Sequence, residues 1–215
     1  QTTLAEAYPE RFLLGLGVSH IPLVEHLTGH AYGKPIASMR AYLDGMDRAP
    51  YRAAAPSIRP SRVLAALGPQ MLRLAAERAD GAHSYFVPPE HTARAREILG
   101  SDRILAVEQA VVLETDATRA REIARAHTSR YLALPNYVNN LRRLGFDDAD
   151  VANSGSDRLV DAIVAWGDIA AVSDRIRAHQ SAGASHVCVQ VLPADPQALP
   201  DREWRELASA LLTKR

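Results

Sequence analysis

The sequence predicts an α/β protein in which the strands are parallel. Several segments of strand length are continuously apolar instead of alternating between apolar and polar residues, which is typical of strands covered on both faces. Segments with helical features separate them, and proline and glycine mark many of the boundaries. This order of strand and helix is typical of βαβ units. The chain has 215 residues, 47% of them hydrophobic, so we expect one domain over residues 1–215.

The predicted strands are the apolar runs of the chain, of which FLLGLGV is the first. They cover residues 12–18, 62–68, 82–87, 104–115 and 185–192. Because these runs lack a polar face, each strand is predicted to be covered on both faces.

The predicted helices carry recognisable start and stop signals. Pro35 and Pro69 stand at first helical positions, and Asp116 and Asp168 can cap the helices that follow them. Gly81 is predicted to end the helix that begins at Pro69. A short helix precedes Pro9, and the remaining helices are predicted over residues 35–48, 69–81, 88–100, 117–134, 135–146, 156–167, 169–183 and 201–212.

Composition excludes several classes of function. The 25 Lys and Arg residues equal the 25 Asp and Glu residues and are interspersed with them, so we expect no nucleic-acid partner. No apolar run reaches the roughly 18 residues of a membrane-spanning helix, so we expect no membrane partner. Cys188 is the single cysteine, which fits a reducing cytoplasm and predicts a small buried core residue in the run HVCVQVL.

The stretch RFLLGLGVSH, residues 11–20, has two interpretations. Gly15 and Gly17 could begin a dinucleotide-binding loop, but the third glycine of that fingerprint is replaced by His20. Pro22 follows, and no helix is predicted to begin at once. The stretch is better interpreted as a strand of a (β/α) barrel, in which functional groups lie at the carboxyl ends of strands. Ser19 and His20 would then stand at the mouth of a site.

Histidines are the only hint of a metal site. His26 and His30 have the i, i+4 spacing of one helix face, and His20 is near in sequence. No Asp or Cys completes a ligand set, so we predict no metal.

Longer motifs resemble a known family. The segments ERFLLGLGVSH, VLAALGPQMLRLAAERADGAHSYFVPPEHTARAREILG, LPNYVNNLRRLGF and SDRLVDAIVAWGD are similar to the bacterial luciferase-like monooxygenase superfamily. More narrowly, they resemble an actinobacterial subfamily of probable F420-dependent oxidoreductases. The resemblance implies a (β/α)8 TIM barrel that binds coenzyme F420, or alternatively FMN, and transfers a hydride to or from a small organic substrate. Dimers are common in that family, so a homodimer is expected.

The resemblance also implies which part of the barrel is present. Residues 12–18 correspond to the fourth barrel strand and residues 62–68 to the fifth. The three later predicted strands correspond to the sixth to eighth, and the first three barrel strands have no counterpart. We therefore expect a partial, N-terminally truncated barrel. An inactive fragment, or a non-catalytic flavin-binding relative, is the alternative to an enzyme.

Site residues follow from the same resemblance. Val18 and Ser19 match positions that contact the coenzyme, and His20 stands where related enzymes carry a proton-transferring Glu. Histidine can also transfer protons at neutral pH. Further coenzyme contacts are expected after the fifth barrel strand, at Leu67, Gly68, Gln70 and Met71.

Residues after the next strand are candidates for substrate binding. Tyr85, His91 and Thr92 are expected to line a substrate pocket; the alternative is that Tyr85 and Phe86 are core residues. A small-molecule substrate is the partner that these residues imply.

Overall fold

The computed structural model describes residues 1–29 and 31–212, which form two compact units. The first unit comprises residues 1–83 and 97–104, and the second comprises residues 84–96 and those from 105 onward. Within each unit the strand pairings are parallel, which confirms the predicted α/β class.

The first unit contains the elements up to the third strand. They are α1 (Thr2–Ala7), β1 (Leu13–Leu16), α2 (Ile21–Thr28), α3 (Pro35–Arg48), β2 (Ser61–Ala65), α4 (Pro69–Arg78) and, in its first three residues, β3 (Gly81–Ser84). Strand β2 lies between the other two: Leu16 of β1 is paired with Leu64, and Val63 is paired with Gly81 of β3.

Helices α3 and α4 pack together in the first unit through apolar and charged contacts. Met39 and Leu43 of α3 are buried at 3% and 0% exposure. Arg78 of α4 donates to Asp44 and to Asp47 of α3, at 2.7 and 3.0 Å. The guanidinium groups of Arg62 and Arg78 lower the pKa of Asp47.

Most of the remaining elements belong to the second unit. They are α5 (Pro89–Leu99, to Arg96), β4 (Ile104–Val112, from Leu105), α6 (Ala117–Leu132), α7 (Pro135–Arg143), α8 (Asp148–Val151), α9 (Asp157–Ile163), β5 (Val164–Trp166), α10 (Ile169–Ser181), β6 (His186–Val191) and α11 (Asp201–Leu211).

Strand β4 is the centre of the second unit. The carbonyl of Val112 accepts from Gly167 after β5, and the carbonyl of Val111 accepts from Leu192 after β6. Since successive carbonyls of a strand point to opposite sides, β5 and β6 lie on opposite sides of β4. One face of this sheet packs against α10 and α11 through a core of Val111, Ala165, Val172, Ile176, Val191 and Leu207.

Three predictions of local structure were wrong. The helix predicted over residues 156–167 ends at Ile163, because residues 164–166 are buried in a strand that pairs with β4. A helix does begin at once after His20, with Pro22 in its first turn. Gly81 starts β3 rather than ending α4, and a Cβ atom there would lie 1.9 Å from the carbonyl oxygen of Ile104. The other predicted strands and helices are confirmed within a few residues at their ends.

Within residues 1–29 and 31–212, no helix is long and apolar enough to cross a bilayer.

Candidate active site

The carboxyl ends of β1 and β2 bring two of the predicted coenzyme segments to one edge of the first unit. The parallel register pairs Leu16 with Leu64, and a Cβ atom on Gly17 would lie 3.2 Å from the Cβ of Ala65. Val18 and Ser19 therefore leave the sheet beside Leu67, at the edge where ligands bind in parallel α/β proteins.

An apolar cavity of about 420 Å³ lies at this edge. Val18 forms part of its wall, whereas Ser19 and His20 are absent from its described lining. The residues around it come from the end of β1, from α2, from the connection to α3 and from α3 itself: Leu16, Gly17, Val18, Val24, Ala31, Tyr32, Gly33, Pro35, Ser38, Met39 and Tyr42.

Ser19 does not line the cavity, but its backbone holds a residue that does. Its φ of +59° is in the left-handed region, and its carbonyl oxygen accepts a hydrogen bond of 3.1 Å from the Tyr32 hydroxyl. The Tyr32 amide donates to Glu25 of α2 at 3.1 Å. Burial raises the pKa of Tyr32, so the hydroxyl remains a donor at neutral pH. These two bonds hold Tyr32 in the cavity wall.

His20 is half-buried at the start of α2. It occupies the N-cap position with extended backbone, and its side chain makes no capping hydrogen bond. His26 is exposed on the same helix, and His30 lies outside the described residues. Within residues 1–29 and 31–212, no group of three or more His, Cys, Asp or Glu residues is placed to hold a metal ion.

The start of α4 is suited to an anion. Gly68 is the N-cap residue, and its carbonyl accepts from the amides of Met71 and Leu72, both at 3.1 Å. Pro69 is the first helical residue, and the first turn contains no acidic side chain. The positive end of the helix dipole is therefore not neutralised by a carboxylate. Gln70 is exposed here, whereas Met71 is a core residue at 8% exposure.

Tyr85 lies on a partly exposed face of the second unit. Its hydroxyl donates to Oε1 of Gln190 at 2.7 Å, which leaves the Tyr131 hydroxyl to donate to Tyr85 at 2.8 Å. Burial and this hydrogen bond raise the pKa of Tyr85. The ring also packs against other aromatic side chains, those of His127, Tyr131 and Tyr137.

Thr92 and His91 are buried rather than open to a pocket. Thr92 is 0% exposed and its hydroxyl is 2.8 Å from Nδ1 of His179, whose Nε2 is 2.9 Å from Oε1 of Gln109. The amide oxygen only accepts, so Nε2 of His179 carries the proton and Nδ1 accepts from Thr92. Burial lowers the pKa of His179 to about 4. This chain of hydrogen bonds connects α5, β4 and α10. His91, the residue before Thr92, is 3% exposed.

Glu108 is a candidate that the sequence analysis missed. It is 5% exposed in β4, and Oε2 accepts a hydrogen bond of 3.1 Å from the Phe86 amide. Oε1 has no hydrogen-bond partner among the residues that the structure describes. Burial raises the pKa of Glu108 to about 7. The available signal was one acidic side chain inside the apolar run ILAVEQAVVL.

Aromatic residues beside Glu108 form a second part of this face. Phe86, with a φ of +60°, stacks on Tyr131 with ring centres 5.0 Å apart. His127 is 8% exposed, and its Nε2 also lacks a hydrogen-bond partner within the described part of the chain. Burial lowers the pKa of His127 to about 4 and raises that of Tyr137 to about 12.

Cys188 lies directly across from Glu108. The two residues are paired in the β4–β6 register, so their side chains share one face of the sheet. Cys188 is half-buried rather than fully buried as predicted, and burial together with the charge of Glu108 raises its pKa.

Comparison with solved structures shows the same fold in flavin and deazaflavin enzymes. The F420-dependent tetrahydromethanopterin reductase from Methanopyrus kandleri is 18% identical, with a TM-score of 0.65 over 96% of this chain and 75% of that chain. An F420-dependent secondary alcohol dehydrogenase, solved with an F420–acetone adduct, is 14% identical, with a TM-score of 0.59 over 88% and 67% of the two chains.

A third similar structure binds FMN. It is the oxygenating constituent of 3,6-diketocamphane monooxygenase from Pseudomonas putida, 16% identical, with a TM-score of 0.60 over 95% of this chain and 70% of that chain. No curated protein matches the sequence.

The fold defines a class, that of parallel α/β proteins of the luciferase-like barrel type. The sequence model of the luciferase-like monooxygenase family matches residues 2–186. The chain therefore belongs to that family, as the sequence motifs had indicated.

Proposed function

We propose that this protein is an oxidoreductase that uses coenzyme F420, or alternatively FMN, to transfer a hydride to or from a small organic substrate. The observation that carries the proposal is the apolar cavity at the end of β1. Helix α4 follows β2, the strand that is paired with β1. Both cofactors combine a flat, largely apolar ring system with an anionic phosphate group, and these two features match the two parts of the edge.

The described residues fit each part of such a cofactor. Val18, Val24 and Met39 offer an apolar wall to a ring, and Tyr32 adds an aromatic one. Pro69 has no N–H, and the amides of Met71 and Leu72 bond to Gly68, so the Gln70 amide is the donor that the first turn of α4 offers to a phosphate. No acidic side chain in that turn opposes an anion. When bound, the ring supplies the hydride chemistry, and the protein supplies binding and orientation.

Roles for the remaining predicted residues follow from their positions. We assign Gly68 and Gln70 to the phosphate-bearing tail, because both lie in the turn that opens α4. Leu67 is half-buried and Met71 is buried, and both side chains support that turn. His20, at the start of α2, is assigned to proton exchange, and Tyr85 to substrate contact.

Coenzyme binding tests the proposal directly. We would titrate the protein with F420 and, separately, with FMN, and follow the fluorescence of each coenzyme. Ser38→Phe places a large ring at the cavity wall and is expected to weaken binding at least about tenfold, which corresponds to about 1.4 kcal/mol. Ala37→Phe is the matched control, because this exposed neighbour in α3 is not among the lining residues.

The outcomes separate the candidate functions. Binding that Ser38→Phe weakens and Ala37→Phe does not would support the coenzyme site. Binding without turnover of any electron acceptor would favour the alternative of a non-catalytic flavin-binding relative. No binding of either coenzyme would overturn the proposal.

A further inference from the structure

Glu108 places a carboxyl group inside the second unit without a full set of hydrogen-bond partners. The residue is 5% exposed, and its Oε2 accepts a hydrogen bond of 3.1 Å from the Phe86 amide of the same unit. Its Oε1 has no partner among the residues that the structure describes. A buried carboxyl oxygen in this state costs free energy, and proteins satisfy most such groups. A ligand that donates a hydrogen bond to Oε1 would remove this cost.

The neighbours of Glu108 on its own face of the sheet leave room beside the carboxyl. Every second residue of a strand shares a face, so on β4 these neighbours are Ala106 and Ala110. On β6 they are Cys188, which is paired with Glu108, and Gln190, which is paired with Ala110. Both β6 residues are half-buried. The two alanines are too small to cover the carboxyl from its own strand.

Aromatic rings border this part of the second unit. The Tyr85 hydroxyl donates to Oε1 of Gln190 at 2.7 Å, which holds the ring beside β6. The ring centre of Tyr131 lies 5.1 Å from that of Tyr85 and 5.0 Å from that of Phe86. Tyr85 and Tyr131 are both half-buried, so part of each ring is open to a ligand. Such rings stack on flat groups and attract cations to their faces.

The ionised carboxylate has no positive charge beside it to balance its own. Burial and the charge of Glu108 raise the pKa values of its acidic neighbours, Tyr85, Tyr137 and Cys188, which are therefore neutral at pH 7. Burial, together with the charge of Arg130, lowers the pKa of His127 to about 4, so this ring is neutral as well. Burial raises the pKa of Glu108 to about 7, and among the described residues neither a lysine nor an arginine lowers it.

We propose that the second unit contains a binding site for a flat organic cation, whose N–H group donates to the Glu108 carboxylate and whose plane packs on Tyr85 and Tyr131. An amidinium group on an aromatic ring has this form, since it is planar, carries N–H donors and is positively charged. The cation supplies both the donor that Oε1 lacks and the missing positive charge. The site requires no coenzyme, so this inference does not depend on the proposed function.

Benzamidine is a suitable probe, and benzamide is a neutral compound of nearly the same shape. We would titrate the wild-type protein, without coenzyme, with each compound at about pH 8, where Glu108 is ionised, and measure binding by isothermal titration calorimetry. Benzamidine is expected to bind at least about tenfold more tightly than benzamide. Glu108→Gln is expected to remove this preference, because the amide retains the shape of the side chain and loses its charge.

The protonation of Glu108 provides a second readout. The cation binds the ionised carboxylate, whose pKa is about 7 before binding, so the affinity for benzamidine should fall about 100-fold between about pH 8 and about pH 5. At about pH 6, binding should release about one proton, measured from the binding enthalpy in buffers of different ionisation enthalpy. The amidinium group remains charged throughout this range. A purely structural role of Glu108 predicts neither effect.

Two further variants make the test specific. Glu122→Gln makes the same chemical change at an exposed position of α6 and is expected to keep the preference for benzamidine and the proton release. Glu108→Asp retains a carboxylate and is expected to keep the preference at a lower affinity, because the shorter side chain places the charge farther from the ligand. Circular dichroism would show that each variant is folded.

Each outcome supports or overturns the inference. Absence of benzamidine binding, or equal binding of benzamidine and benzamide, overturns the cation site. A preference that survives in Glu108→Gln overturns the role of Glu108. An equal loss of the preference in Glu108→Gln and Glu122→Gln would show general attraction by negative charge and would overturn it too. The coenzyme proposal is tested separately, by the titrations with F420 and FMN.

Discussion

Single residues decide how closely the strands of this protein approach each other. Gly81 occupies a place in β3 where a Cβ atom would be 1.9 Å from the carbonyl oxygen of Ile104, and backbone atoms cannot move aside as a flexible side chain can. Gly15 in β1 has no atom within 4 Å of the same ideal position. Each glycine adjoins an apolar residue in the sequence, so the sequence alone does not distinguish the two positions.

Gly81→Ala is therefore expected to lower the free energy of unfolding by about 3 kcal/mol, because the clash forces the backbone apart. Gly15→Ala should change it by less than about 0.5 kcal/mol. Urea unfolding of the two variants beside the wild type would measure both values. Equal effects of the two substitutions would show that the close approach at Gly81 does not limit packing.

The residue scale is also where the sequence revealed least about the candidate site. Thr92 is a plausible pocket residue from its position after a strand, yet its hydroxyl bonds to His179, which is far away along the chain. Glu108 carries a charge that sequence patterns place at a strand edge or in a turn, and only the fold shows its burial. Both contacts join residues distant in sequence, so local patterns do not contain them.

At the scale of elements, capping residues and prolines predicted where several helices begin. Asp168 accepts from the amide of Ala171 at 2.9 Å, and Asp116 accepts from that of Arg119 at 2.9 Å, as predicted. Strand β5 was missed because Val164, Ala165 and Trp166 continue the pattern of a helix and are turned into a strand by pairing with β4. Helix α2 was missed because Pro22 was interpreted as a barrier, although proline is favourable in the first turn.

Removal of one N-cap side chain tests how much it contributes to the free energy of unfolding. Asp168→Ala is expected to lower the free energy of unfolding by about 1 kcal/mol, because the Ala171 amide at the start of α10 loses its acceptor. Asp174→Ala, on the same helix, removes only an exposed ion pair with Arg177 and should cost less than about 0.5 kcal/mol. Thermal unfolding of the two variants would compare them. A cost at Asp174 equal to that at Asp168 would contradict the capping role.

For the molecule as a whole, three buried groups make stability depend on pH in opposite directions. The pKa values of His127 and His179 are lowered from 6.5 to about 4 in the folded protein, so stability is lost as pH falls through this range. The pKa of Glu108 is raised from 4.5 to about 7. Its contribution has the opposite sign: it is fully present below about 4.5 and is lost as pH rises to about 7.

Glu108→Gln isolates the contribution of the carboxyl group. The difference in unfolding free energy between the variant and the wild type should shift in favour of the variant by about 1.4 kcal/mol per pH unit, at the steepest part between pH 4.5 and about 7. Urea unfolding at about pH 5 and about pH 8 would measure this shift. Glu122→Gln, exposed on α6, is the control, and an equal shift in it would contradict the assignment to Glu108.

The pairing of Cys188 with Glu108 has a practical consequence for experiments. Because Cys188 is the single cysteine of the chain, a thiol-specific reagent would label one known position on the half-buried face without any engineering. Burial and the neighbouring carboxylate raise the pKa of this thiol, so labelling is expected to be slow at neutral pH and to accelerate in alkaline solution. The labelling rate would then report how accessible this face of the sheet is.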